Sequence, residues 1–222
     1  MTSATAAIED YAKAIYALQE RAEEGVVSTN ALAERLDVTP GSVSGMLRKL
    51  DAAGLVAHEL YRGVRLTPAG RRVALEVIRH HRLIELFLAE VLDMPWDRVH
   101  QEAEVLEHVL SEELESLIAE KLGHPTADPH GDPIPNAELD IEERRGVPLQ
   151  ELVPGATGRF VRVSDADPEM LRWLADRAVR PGDDVEVLDK QPFDGPLTVR
   201  IGDSVHTLGG GVARAMRIEL RP

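Results

Sequence analysis

Residues 28–67 read STNALAERLDVTPGSVSGMLRKLDAAGLVAHELYRGVRLT. Ser28 or Thr29 can cap a short helix whose apolar face is Leu32, Ala33 and Leu36. Asp37-Val38-Thr39 makes a turn, after which Thr39 is the expected N-cap and Pro40 the first helical residue, where its missing N–H is harmless. Val43, Leu47 and Leu50 line the buried side of this second helix, and Gly54 ends it. Leu55–Tyr61 and Val64–Thr67 then alternate as two short strands around Arg62-Gly63. Helix, tight turn, helix and hairpin spell a winged helix-turn-helix.

Outward from this core, Ile8, Ala12, Ile15, Tyr16 and Leu18 recur near helical spacing, so a helix opens the chain and ends before Gly25. Thr67-Pro68 starts another helix, whose apolar positions from Val73 to Val91 persist to Asp93. Met94-Pro95 breaks it, and a second long amphipathic helix is expected from about Trp96 to Leu122, with Val99, Ala103, Leu106, Val109, Leu110, Leu114, Leu117 and Ile118 inward. These two helices carry more apolar surface than a small winged domain can cover, which points to a homodimer. Residues 123–158, with prolines at 125, 129, 133, 135, 148 and 154, read as a linker or extended loop. Short alternating runs at 159–163, 185–188, 197–201, 205–208 and 217–220, separated by glycine turns, indicate a small antiparallel barrel, with a helix capped near Asp167-Pro168. The expected class is mainly α with small β parts, in three domains: 1–74, 75–145 and 146–222.

Composition narrows the chemistry. The chain has 222 residues and no cysteine, which removes disulfides, thiolate zinc sites, iron–sulfur clusters and cysteine nucleophiles together. No apolar run approaches the roughly 20 residues of a membrane span, and the start lacks a basic leader, so a cytoplasmic protein is expected. The net charge of −14 conceals a split: residues 28–74 hold 7 basic and 4 acidic side chains, residues 75–145 hold 6 and 18. That asymmetry implies two tasks.

The basic segment offers the first. Thr39, Pro40, Ser42 and Ser44 open the second helix of the motif, where small hydroxyl side chains reach base edges in a major groove; Arg48, Lys49, Arg62 and Arg65 are placed for phosphates. The competing reading is a helical hairpin with solubilising charges, but the turn, the caps and the wing coincide. The acidic segment offers the second. Glu104, Glu107 and His108 fall on one face of the expected helix, with His100 a turn before; His81 and Glu85 are four apart on the preceding helix. Acidic helices with a few histidines are usually solvated surface. Here the pairs lie in phase with the apolar stripes, where charge is costly unless paired or metal-bound. Oxygen and imidazole donors without sulfur suit a fairly hard divalent ion such as Mn²⁺.

Ile8-Glu9-Asp10-Tyr11, the winged segment through Tyr61-Arg62-Gly63, His80-His81-Arg82-Leu83, His100 to His108, and Gly131-Asp132-Pro133-Ile134-Pro135 together resemble the diphtheria-toxin-repressor-like family of metal-dependent transcription regulators, its manganese-responsive members above all. The resemblance covers nearly the whole chain and implies an SH3-like (FeoA-like) third domain. It implies one metal held by Asp10, Glu104, Glu107 and His108, and a second by His81, Glu85 and His100 with Asp167 from the third domain. It further implies about two Mn²⁺ per chain, a homodimer on double-stranded operator DNA, and no membrane or small-molecule substrate. An iron- or zinc-dependent repressor, with Fe²⁺ in place of Mn²⁺, is the alternative within the family. Outside it stand a carboxylate-bridged metal enzyme, which needs Glu-x-x-His units these helices lack, and a metal-independent structural DNA binder.

Overall fold

The computed structural model describes residues 3–20, 22, 25–59, 62–142 and 146–221. They form two compact units, the first built from residues 1–81, 104–115 and 135–140, the second from 82–103, 116–134 and 141–222.

In the first unit α1 (Ser3–Gln19), α2 (Thr29–Arg35) and α3 (Pro40–Ala52) precede a hairpin of β1 (Val56–Glu59) and β2 (Gly63–Leu66). Ser28 caps α2 and Thr39 caps α3, each through a side-chain oxygen accepting the backbone N–H three positions on. Ile15, Leu32, Val43, Leu47, Leu50, Val56 and Val64 close one core. Gly63 lies at φ +121°, and a Cβ there would sit 2.6 Å from the Val27 carbonyl oxygen, so only glycine lets β2 bridge to Val27. β1 is described over Val56–Glu59; Leu60 and Tyr61, where the expected strand continues, lie outside the described residues.

α4 (Pro68–Val91) follows as a single long helix. The second expected long helix is two: α5 (Val99–Leu106) and α6 (Glu112–Lys121). The break has a local cause. Ser111 accepts the backbone N–H of Leu114 on its hydroxyl and that of Glu115 on its carbonyl, so it restarts the helix, while Val109 closes a turn on Leu106. Leu106, Val109, Leu114 and Leu117 are 39, 67, 49 and 55% exposed, so much of the apolar face read as buried is open in the single chain.

In the second unit β3 (Val147–Pro148), β4 (Thr157–Val163), β5 (Asp184–Lys190), β6 (Leu197–Ile201), β7 (Ser204–Leu208) and β8 (Met216–Leu220) form an antiparallel SH3-like sheet in the order β3-β8-β4-β5-β6-β7. Bulges at Phe160/Arg162 and Val187/Asp189 bend it around Phe160, Leu171, Leu174, Val187, Leu197 and Met216. α7 (Pro168–Ala175) packs Leu171 and Leu174 into that core. Gly210 and Gly211 open a six-residue helix, α8 (Gly210–Ala215), which places Ala213 in the core. The proline-rich stretch is not the loose linker expected: residues 130–135 are buried, and Leu149 at a 3₁₀ turn belongs to the core.

Candidate metal centres

The first cluster lies within the first unit. Tyr11, Ala14 and Ile15 turn one side of α1 into the core, leaving Asp10 and Lys13, three residues apart, on an adjoining face. The interruption after α5 places Glu107 and His108 in a turn rather than on a helix face. His108 Nε2 lies 3.0 Å from Asp10 and 3.5 Å from Glu107, and its Nδ1 lies 2.6 Å from Glu9. Donor atoms of Asp10, Glu107 and His108 all fall within 4.8 Å of one another. The Glu107 side chain is wholly buried; it accepts hydrogen bonds from Lys13 Nζ at 2.8 Å on both oxygens and from His81 Nδ1. Glu104, less buried, meets the same ammonium at 2.7 Å.

The turn is held from behind. His80 reaches the Glu107 carbonyl through Nδ1 (3.2 Å) and Glu115 through Nε2 (3.1 Å), while Arg79 pairs with Glu115 and donates to the Pro135 carbonyl at 2.6 Å. Burial raises the Asp10 carboxyl above its ordinary range; His108 opposes this, and the Glu107 and Glu104 charges add to the rise. An anion so placed gains from added positive charge.

The second cluster lies within the second unit. Glu85 on α4 is buried, and His100 Nδ1 on α5 stands 3.1 Å from both Glu85 and Asp165. The hydrogen bonds His100 donates to Asp165 and then Glu85 raise its imidazole to about 10, against the burial that would lower it. Burial works against ionisation of Asp165, but the His100 hydrogen bond and charge outweigh it and hold the carboxyl at about 2. Behind them His130 stacks on Trp96, ring centroids 5.7 Å apart, and its Nε2 bonds the Trp96 carbonyl at 2.9 Å. A carbonyl only accepts, so Nε2 donates through its N–H, which leaves Nδ1 as the ring's other nitrogen. That buried Nδ1 has no hydrogen-bond partner and faces Glu85 at 3.9 Å. Asp128 completes the group: with Glu85 and His130 it offers donors within 4.8 Å of one another. Its Oδ1 accepts the backbone N–H groups of His130 and Asp132 at 2.9 Å each, which fixes its orientation. Burial, then the Asp132 and Glu85 charges, push its carboxyl well above the usual range. An orphaned imidazole nitrogen among buried carboxylates is a donor set that fits a divalent cation.

Most of the residues expected from the sequence converge. Asp10, Glu104, Glu107 and His108 meet in the first cluster, Glu85 and His100 in the second. His81 hydrogen-bonds Glu107, within the first cluster. Asp167 is not with His100: its carboxylate accepts the N–H groups of Glu169 and Met170 as the N-cap of α7, and Asp165 takes the place expected for it. The residue directly before a helix-opening proline is the usual cap, a signal that would have favoured Asp165. Asp128 and His130 were missed. Their two-residue spacing between Pro129 and Gly131 was masked by the high proline content.

On the opposite task, α3 holds Thr39, Pro40, Ser42, Arg48 and Lys49 exposed and Ser44 partly so. Thr39 and Ser42 hydroxyls lie 2.9 Å apart, and Ser44 Oγ donates to the Pro40 carbonyl at 2.9 Å. Arg62 and Arg65 are exposed on the wing. Gly45 leaves open space where a side chain would project, so the middle of this helix face is flat.

Residues 3–64 match the model of the iron-dependent repressor N-terminal DNA-binding domain, 67–136 that of its metal-binding and dimerisation domain, and 147–220 the FeoA domain. Among curated relatives, the iron-dependent repressor IdeR of Mycobacterium tuberculosis is 34% identical over 224 residues, spanning 95% of this chain and 96% of that one. The diphtheria toxin repressor of Corynebacterium diphtheriae is 32% identical over 222 residues, 95% and 96% of the two chains. A manganese-dependent transcriptional repressor solved in complex with manganese superposes with a TM-score of 0.87 at 41% identity, covering 96% of this chain and all (100%) of that one. The manganese regulator SloR gives 0.74 at 32% identity over 96% and 98%. No helix among the described residues is long and apolar enough to cross a membrane. This chain therefore belongs to the iron-dependent, or diphtheria-toxin, repressor family of metal-dependent DNA-binding transcriptional repressors, and is not an enzyme.

Proposed function

We propose that this repressor responds to manganese through two sites per chain and represses genes of metal homeostasis as a homodimer. The first site is Asp10, Glu104, Glu107 and His108; the second is Glu85, His100 and Asp165, with Asp128 and His130 behind. The observation that carries the metal assignment is the donor set: the ligand atoms that both clusters offer are carboxylate oxygens and imidazole nitrogens, with no thiolate among them, which suits Mn²⁺. The manganese-dependent structural neighbours support the same choice. Iron is the second reading, favoured by the names of the curated relatives.

The work of the first site is mechanical. Asp10 sits on α1, and Glu107 and His108 follow α5, so the cluster ties the N-terminal helix to the turn. A divalent ion there would supply two positive charges to an anionic pocket. α1 packs through Tyr11, Ala14 and Ile15 on the same core as Val43 and Leu47 of α3. Holding α1 therefore orients α3, the DNA-reading helix, whose exposed Pro40, Ser42, Arg48 and Lys49, with the cap Thr39 and the partly exposed Ser44, face the groove with Arg62 and Arg65 on flanking phosphates. In a two-fold dimer, completed through exposed Val105, Val109, Leu114 and Leu117, the two α3 helices read half-sites about one DNA turn (~34 Å) apart, so the operator is pseudo-palindromic. Metal acts as an allosteric ligand, limited by its preference for the DNA-competent state.

The test is an anaerobic gel-shift titration on the operator with Mn²⁺, Fe²⁺ and chelator. Manganese sensing predicts binding at lower Mn²⁺ than Fe²⁺ and release by chelator. Equal binding in all three would refute it.

A further inference from the structure

Outside both metal clusters and the DNA-reading face, the FeoA-like part of the chain holds an open hollow of about 310 Å³, lined by Pro148, Gln150, Glu151, Asp194, Arg214 and Arg217. That volume is at the lower end of the roughly 300–1,000 Å³ of small-molecule sites. Three local features bring the wall together. β3 sets Pro148 opposite Arg217 of β8, and Lys190 pins the 3₁₀ turn that follows, its Nζ donating to the Gln150 carbonyl at 2.6 Å and the Leu152 carbonyl at 3.4 Å. α8 carries Arg214; a Cβ on Gly210 would stand 3.0 Å from its Nη1 and 3.4 Å from the Asp194 carbonyl oxygen, so the glycine lets this arginine lie close to the β5–β6 turn. That turn holds Phe193 and Asp194 at φ +59° and +55° and closes with the Gly195 N–H on the Pro192 carbonyl at 3.2 Å. Two successive left-handed residues, neither of them glycine, are strained, and Phe193 is 100% exposed, so no packing of its ring offsets the strain.

The polar groups of this wall lack partners. Gln150 is only 6% exposed, and among the described residues neither its carboxamide oxygen nor its nitrogen has a hydrogen-bond partner; buried polar groups are ordinarily satisfied. Among the described residues the side chains of Glu151, Asp194, Arg214 and Arg217 make no ion pair either, whereas Arg162, Arg172, Arg200 and Arg221 of the same unit each sit on a carboxylate. The wall thus offers two guanidinium groups, two carboxylates and a carboxamide that both donates and accepts. A simple anion would meet the carboxylates as well as the arginines, and a simple cation the reverse. A molecule bearing both charges uses all four. We propose that the hollow is a binding site for a small zwitterionic amino-carboxylate, a free amino acid or a short peptide with both ends free. Arg214 and Arg217 take its carboxylate, Glu151 and Asp194 its ammonium, and the Gln150 carboxamide a hydrogen-bonding group of its backbone. No wall residue belongs to the metal or DNA machinery, so this proposal and the manganese reading fail separately.

Full-length protein in chelator, where the probes cannot act through bound metal, is titrated calorimetrically with four of them: L-alanine, L-alanyl-L-alanine, the same dipeptide acetylated and amidated at its ends, and inorganic phosphate. Saturable binding of one or both zwitterions is expected, the comparison of alanine with the dipeptide distinguishing the two sources, and no binding of the blocked dipeptide or phosphate. Arg214→Ala, at an exposed side chain, and Gln150→Met, similar in length, should each weaken that binding roughly tenfold or more. Absence of saturable binding of either zwitterion at millimolar concentration overturns the proposal. So does equal binding of the blocked dipeptide or of phosphate, which would mean recognition of a peptide backbone or of a plain anion, and so does an affinity unchanged in either variant. Should Gln150→Met fail to fold, Arg214→Ala still decides.

Discussion

Glu107→Gln is the most informative single change. The amide matches the carboxylate in shape, so the variant removes charge without opening a cavity. What is lost can be sized from the contacts. The wholly buried carboxylate holds Lys13 at 2.8 Å through both oxygens and accepts from His81. Removing one partner of a buried ion pair costs about 3–5 kcal/mol, while a hydrogen bond to a charged group contributes about 1.5–3 kcal/mol. Lys13 keeps Glu104 at 2.7 Å and some solvent, so the loss belongs at the low end, about 3 kcal/mol. For a chain of this size that is a fall of roughly 6–12 °C in melting temperature. The matching change at Glu104, whose side chain is 43% exposed, should cost no more than about 1 kcal/mol. The assay is a thermal melt in chelator and again in MnCl₂ at 100-fold excess over the dissociation constant, where each occupied site adds about 2.7 kcal/mol. Glu107→Gln should start lower and lose the first site's share of the manganese shift while keeping the second's. A variant melting within about 2 °C of wild type in chelator, with a full manganese shift, would refute the role given to Glu107.

Four further outcomes follow from the same geometry. His100 is held at about 10 and Asp165 at about 2; the raised histidine stabilises fully below about 6.5 and loses this as pH climbs through 10, the depressed acid fully above about 3.8 and loses this as pH falls through 2. The pair therefore supports the metal-free fold best between about pH 4 and 6.5. Nuclear magnetic resonance of the His100 ring should show its titration near 10 in wild type and well lower in Asp165→Asn; a wild-type midpoint near 6.5 contradicts the pairing. Thr39→Ala removes the α3 cap and should cost about 1 kcal/mol in denaturant unfolding, with no loss expected only if the cap is idle. Arg48→Ala should lower the salt slope of operator binding by about 0.9 in fluorescence anisotropy and weaken all operator variants alike; a change confined to one base position would mean base reading instead. Gly131→Ala would place a Cβ 1.9 Å from the Val161 carbonyl oxygen at φ +88°. It should destabilise by more than about 2 kcal/mol in chemical unfolding and weaken manganese binding at the neighbouring second cluster.

The winged motif was legible because its signals are local. Thr39-Pro40 states where α3 begins, and Val43, Leu47 and Leu50 state which side is buried; both hold in the structure. The long helix after Trp96 misled for the opposite reason. Its apolar spacing continues through 107–111, and nothing in that spacing shows Ser111 restarting the chain as α6. The same difference explains the second cluster. Glu85 and His100 lie on regular helices and were found by spacing, while Asp128, His130 and Asp165 lie on loops, where no period exists to read.

Residue order alone therefore settled what is written in short-range physics: caps, turns, helix faces, the absence of sulfur ligands and the split between a basic reader and an acidic middle. Tertiary structure alone decided which donors share a centre. Asp165 rather than Asp167 meets His100 because the cap of α7 already claims the latter. His81 and Lys13 close on Glu107 from positions 26 and 94 residues away in the chain. Electrostatic partnership depends on distances of a few ångströms in space, and separation along the chain carries almost no information about those.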